Sequence, residues 1–104
     1  MSRDSAAIWH NLARKTAAQA TFDDNETDQK SALKQALALH TKAITFDDKN
    51  AEYYHGRAGV YLALGDYRSA LVDYHKAVEY APMEKKEAIR KDLRQYHREL
   101  VAEE

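Results

Sequence analysis

No cysteine occurs in the 104 residues, proline occurs once and glycine three times. Without cysteine there is no disulfide and no thiolate to hold a metal or attack a substrate, and a reducing compartment is the expected setting. So little glycine and proline argues against a sheet-rich fold and against a disordered tail. Long apolar runs are missing too. No stretch approaches the roughly 20 residues that cross a bilayer, and the opening MSRDSAAIWH holds no apolar run of a targeting segment. Charge of one sign is not in excess either: 16 Lys and Arg face 17 Asp and Glu, a net charge of -1, too weak a field to draw a phosphate backbone. The expectation is a soluble, cytoplasmic protein with neither a membrane nor a nucleic-acid partner. What is present is 44% hydrophobic and 32% charged, the balance of a compact helical protein. A chain of this length buries very roughly two thirds of its unfolded surface, enough for one core.

Residues 51–82, AEYYHGRAGVYLALGDYRSALVDYHKAVEYAP, place large and small side chains where two short antiparallel helices must touch. Tyr54, Ala58 and Tyr61 mark the first helix, Gly65 and Asp66 a turn, Ala70, Tyr74 and Ala77 the second helix, and Pro82 its end. The pattern resembles one tetratricopeptide (TPR) repeat. Laying the sequence on itself so that Leu33 falls on Tyr67 also sets Ala36 on Ala70, His40 on Tyr74 and Ala43 on Ala77, so an earlier hairpin precedes it. Its first helix is expected at residues 5–21, with Trp9, Leu12, Ala13 and Thr16 on the packed side. That hairpin carries 11 extra residues around ATFDDNETDQK. An insert of that length is close to three helical turns, so part of it lengthens the helices without rotating their apolar faces. The rest is a turn through Asp23, Asp24, Asn25, Glu26, Thr27 and Asp28, with Asn25 or Thr27 capping a helix that runs to Phe46. After Pro82, Ile89, Leu93, Tyr96 and Leu100 form one apolar stripe on a helix over residues 84–101. An amphipathic helix there reads as the cap of a stacked array. The expectation is an all-α, single-domain fold over 1–104: a first repeat at 5–50, a second at 51–82 and a capping helix at 83–104.

The histidines His10, His40, His55, His75 and His97 lie at no metal-ligand spacing and beside no nucleophile signature. No catalytic residue, metal or cofactor is expected, and His40, at an aromatic core position of the repeat, reads as a packing residue. The DDNETD run lacks the central glycine of a calcium loop.

TPR modules as a family bind proteins or peptides, and the resemblance implies that the first helix of each hairpin lines a concave groove. In this chain that names His10, Asn11 and Arg14, with Ala7, Ala17 and Ala18, from the first repeat. From the second it names Glu52, His55, Gly56, Gly59 and Leu62, with Ala63. Two glycines inside one helix cost about 1 kcal/mol each relative to alanine, so they serve either close approach by a ligand or tight packing in the array. On the cap helix Lys86, Arg90, Arg94 and Arg98 recur every four residues. Like charges at that spacing repel, and the row reads either as a border for an acidic partner or as a solvated face paired with acids such as Asp73.

One TPR subgroup grips the acidic C-terminal tails of the Hsp70 and Hsp90 chaperones through a two-carboxylate clamp. Its lysine and asparagine of the first repeat fall on His10 and Arg14, its asparagine of the second on Gly56, and its final lysine and arginine on Lys86 and Arg90. Only the last two agree in type, and the apolar stripe shifts the cap helix by one residue from that count. The functional expectation is a non-enzymatic module binding a protein or peptide, with an acidic or C-terminal carboxylate as one candidate feature of the partner. A chaperone-tail co-chaperone and a self-associating structural module stand as alternatives, the latter because short arrays have open ends and tyrosine, present seven times, is enriched at interfaces.

Overall fold

Side-chain caps set where each helix begins. The computed structural model describes residues 3–20 and 25–103, in five helices: α1 (Arg3–Ala20), α2 (Glu26–Phe46), α3 (Ala51–Ala63), α4 (Tyr67–Tyr80) and α5 (Met83–Glu103). Asn25, rather than Thr27, caps α2: its side-chain oxygen accepts from the backbone N–H groups of Thr27 at 2.9 Å and Asp28 at 3.4 Å. Asn50 accepts from the Glu52 N–H at 3.0 Å to open α3, and Asp66 accepts from the Ser69 N–H at 3.3 Å to open α4. These contacts satisfy donors that a helix start leaves unpaired. Gly65 takes φ 83°, a left-handed turn that a side chain would strain. Pro82 follows α4, and its carbonyl accepts from Lys85 N–H at 2.9 Å at the start of α5. The Asp23 and Asp24 part of the insert, and the side chains of Tyr96, His97, Arg98 and Leu100, lie outside the described residues.

The helices pack as antiparallel hairpins, α1 with α2 and α3 with α4, with α2 against α3 and α4 against α5. The architecture is that of a TPR-like array. At 18 and 21 residues, α1 and α2 outrun α3 and α4 at 13 and 14, so the first hairpin takes up part of its insertion as helix. Alanine makes the close contacts: Ala6, Ala13, Ala36, Ala43, Ala58, Ala70 and Ala77 are fully buried. Around them lie the rings of Tyr53, Tyr54 and Tyr74, and Tyr54 donates its hydroxyl proton to the Asp48 carbonyl at 2.7 Å. Buried phenols need such partners. Because no space is left at Ala77, Ala77→Leu is expected to destabilise the fold by about 1–3 kcal/mol through overpacking. Urea denaturation reads this, and a loss below about 0.5 kcal/mol, the range of exposed sites, would place Ala77 away from a helix contact.

One polar strut crosses the array. The Arg57 guanidinium on α3 donates from Nε to Asp73 Oδ2 at 2.7 Å and from Nη2 to Asp73 Oδ1 at 2.9 Å, and from Nη1 to Thr41 Oγ1 of α2 at 3.3 Å. Asp73 therefore does not serve the basic row of the cap helix, as the sequence suggested. Its carboxylate is 2% exposed and taken by Arg57, because its place on α4 turns it inward toward α3. Among the described residues no helix is long and apolar enough to cross a membrane.

Candidate functional site

Two clefts adjoin along the first turns of α3. A small one, about 290 Å³, is lined by His10 and Arg14 of α1 and by Glu52, His55 and Gly56 of α3. A larger one, about 640 Å³, shares Glu52 and His55 and continues over the α2–α3 turn to the start of α5, with Ala51, Ala81, Pro82, Ala88 and Ile89 as its apolar lining and Lys49 and Lys85 among its charges. Five residues singled out from the sequence thus meet in one place. Asn11, Gly59 and Leu62 line neither cleft; Asn11 and Gly59 are exposed, and Leu62 packs half-buried against the core.

Lys86 and Arg90 line neither cleft either. The α5 residue that reaches α3 is Lys85, whose Nζ lies 3.6 Å from Glu52 Oε1, while Asp92 Oδ2 lies 3.5 Å from His55 Nε2. With Ile89 buried in the core, Lys85 and Asp92 share its side of the helix; Lys86 is half-buried without lining either cleft, and Arg90 and Arg94 are exposed. Arg94 of the basic row pairs with Glu87 at 3.0 Å, both side chains exposed.

Beneath the small cleft the structure joins two histidines that sequence spacing kept apart. His10 Nδ1 and His40 Nδ1 are 3.3 Å apart, with ring centroids at 5.1 Å, and His10 also stacks on Tyr53 at 4.8 Å. His40 is 1% exposed and His10 7%. Burial holds His40 down to about 4, and the neighbouring His10, Arg57 and Arg14 push the same way. His10 is also lowered, chiefly by burial, with Glu52 opposing and Arg14 adding. The only hint of this pair in the sequence is the repeat offset that sets His40 on the buried Tyr74; a contact between rings so distant along the chain has no local signature. Among the described residues no three His, Asp or Glu side chains form a group able to hold a metal.

The two helical glycines part company. A Cβ on Gly56 would stand 2.6 Å from His40 Cε1 and 3.1 Å from His10 Cε1, whereas one on Gly59 would meet nothing within 4 Å. Gly56 serves packing, and Gly59 opens onto free surface. Gly56→Ala is expected to destabilise by about 1–2 kcal/mol, the clash outweighing the gain in helix propensity. Gly59→Ala should instead stabilise by up to about 1 kcal/mol. Urea midpoints of the two variants check the contrast, and equal shifts of one sign would refute it.

The fold and the clefts define a small helical-hairpin array with a concave, mixed polar and apolar site between its hairpins. No family model matches the chain, and no solved structure matches it. Curated relatives do. The chain is 37% identical over 57 residues to Hsp70-Hsp90 organizing protein 3 of Arabidopsis thaliana, across 55% of this chain and 10% of that protein. It is 34% identical over 68 residues to the Hsp70-Hsp90 organizing protein of Triticum aestivum, across 65% and 11%. To Protein SGT1 homolog of Oryza sativa subsp. japonica it is 35% identical over 79 residues, across 71% and 22%. The chain therefore spans between 10% and 22% of the length of these relatives.

Proposed function

We propose that this chain is a TPR-type, non-enzymatic interaction module of a chaperone system, and that the two joined clefts take an extended peptide segment of a protein partner. The observation that carries the reading is the meeting of His10, Arg14, Glu52, His55 and Gly56 in one cleft that runs on into the apolar surface of Ala88 and Ile89. Such a site offers hydrogen bonds to a peptide at one end and a seat for an aliphatic side chain at the other. The relatives' names supply the chaperone context. Arg14 is the cation of the small cleft, and it serves a ligand carboxylate by a charge-assisted hydrogen bond. With neither Lys86 nor Arg90 lining the clefts, a single carboxylate contact at Arg14 accounts for the geometry better than a two-carboxylate clamp.

The test is an NMR titration of the labelled chain with a peptide ending in EEVD. Amide signals of Arg14, His55, Gly56 and Ile89 are expected to shift, and Arg14→Ala to weaken binding about tenfold, equal to about 1.4 kcal/mol. Shifts that survive both Arg14→Ala and amidation of the peptide terminus would remove the carboxylate contact and leave the groove. No shift at millimolar peptide, with this peptide or with an unrelated aliphatic-rich one, would overturn the reading.

A further inference from the structure

We infer that the buried His10–His40 pair, which ties α1 to α2, is a proton-operated latch that fixes how α1 lies against α3, and that it stays closed with one extra proton and opens with two. A separation of 3.3 Å between the two Nδ1 atoms is a hydrogen bond only if one ring carries its proton on Nδ1 and the other presents a lone pair there. Adding one proton to the donor ring, on its free Nε2, preserves that arrangement and turns it into a charge-assisted bond. A second proton places two N–H groups face to face. One ring must then leave.

The surroundings leave a second charge nowhere to settle. Among the described residues, from α1 the pair faces Arg14; from α3 it faces Arg57, Tyr53 and Glu52; α2 contributes His40 itself and no charged group to the contact. The two cations oppose a further proton. Arg57 is engaged by Asp73 of α4, and the carboxylate that acts on His10 among the described residues, Glu52, also pairs with Lys85 of α5. Gly56 presses on both rings so closely that not even a Cβ fits, so its side of the pair has no room for an anion. The attachment that would yield is a thin one: α1 packs broadly on α2 but meets α3 at few places, and the stack of His10 on Tyr53 is among them. Because His10 also lines the small cleft, opening the latch changes the wall of the groove. The latch stands apart from the peptide-binding reading, since it concerns the free protein.

Its test is accordingly done without ligand, by following the imidazole nitrogen signals and the backbone amides of the full chain from pH 7.5 to 3.5. At neutral pH one ring of the pair is expected in the Nδ1–H tautomer, which the free side chain disfavours. The two rings should titrate in steps more than one pH unit apart. Amides of Arg14, Tyr53 and Gly56 should move with the second step while that of Val72, exposed on α4, does not. The inference is overturned if both rings hold their proton on Nε2, if both titrate in one step, or if the second step leaves those amides where they were. None of these readouts depends on a variant that might fail to fold, and a merely packed histidine pair, which charge repulsion alone would also split in titration, would not show the Nδ1–H tautomer.

Discussion

Replacing Asp73 by alanine is expected to lower the free energy of unfolding by about 3–4 kcal/mol, close to the largest loss that one side chain of this protein can cause. Taking away one partner of a buried ion pair leaves the other's charge uncompensated, typically at a cost of about 3–5 kcal/mol. Arg57, 18% exposed against 2% for Asp73, keeps some access to water, which sets the lower part of that range. Without the carboxylate its guanidinium retains, among the described residues, Thr41 Oγ1 at 3.3 Å and the distant faces of Tyr54 and Tyr61 at 5.8 Å. Replacing both partners together, as Arg57→Met with Asp73→Leu, should recover most of the loss, since a well-packed apolar pair of similar volume often equals a buried ion pair. A double-mutant cycle by urea denaturation reads both effects. A loss below about 1 kcal/mol for Asp73→Ala, the scale of an exposed pair, would show that the strut contributes little.

The strut also marks where reading the sequence stopped. Its members belong to different helices, and Asp73 sits beside Tyr74 on α4, where nothing local says which of the two turns inward; both do. Features set by neighbours in the chain were legible. Asn25, one of two candidates, caps α2, Gly65 and Asp66 lie in the turn before α4, the Ala58, Ala70 and Ala77 contacts are buried, and Pro82 follows the end of α4, because each depends on spacing within a turn or on a repeat offset. The register of α5 was not legible: counting from the preceding repeat put Lys86 and Arg90 at the groove, and the apolar stripe said only that this count was off by one residue, whereas Lys85 is the cation of α5 that lines the cleft. The cleft was legible in part. His10, Arg14, Glu52, His55 and Gly56 follow from the first-helix positions of a hairpin array, but Lys85, Ile89 and Asp92 depend on how α5 is rotated, and His40 reaches the site from a second helix. Gly56 and Gly59 look alike in sequence because a glycine's role is decided by what would surround its missing Cβ, and at Gly56 that is the His40 ring of the preceding helix.

Acid is expected to remove about 2 kcal/mol of stability between pH 7 and pH 5, before most carboxylates begin to protonate. The sign follows from His40. Its folded-state value is lowered from 6.5 to about 4, so the neutral ring is favoured by the fold and the unfolded chain binds the proton first. The His40 contribution is whole above pH 6.5, falls as pH drops through the window from 6.5 to about 4, and is spent below it. The slope inside the window approaches about 1.4 kcal/mol per pH unit for one proton, and the full window is worth about 3 kcal/mol. His10, lowered in the same direction, steepens the fall; His55, half-buried beside Asp92, is no part of the pair. Urea midpoints measured at pH 7, 6 and 5 give the slope directly. His40→Gln removes the titrating ring, and whatever it costs at pH 7, its stability should change less between pH 7 and 5 than that of the unaltered chain. An equal slope in the two proteins, or a change below about 0.5 kcal/mol in the unaltered one, would mean that the buried imidazole does not govern stability in acid, because a ring that burial holds neutral must release that preference as the unfolded chain gains its proton.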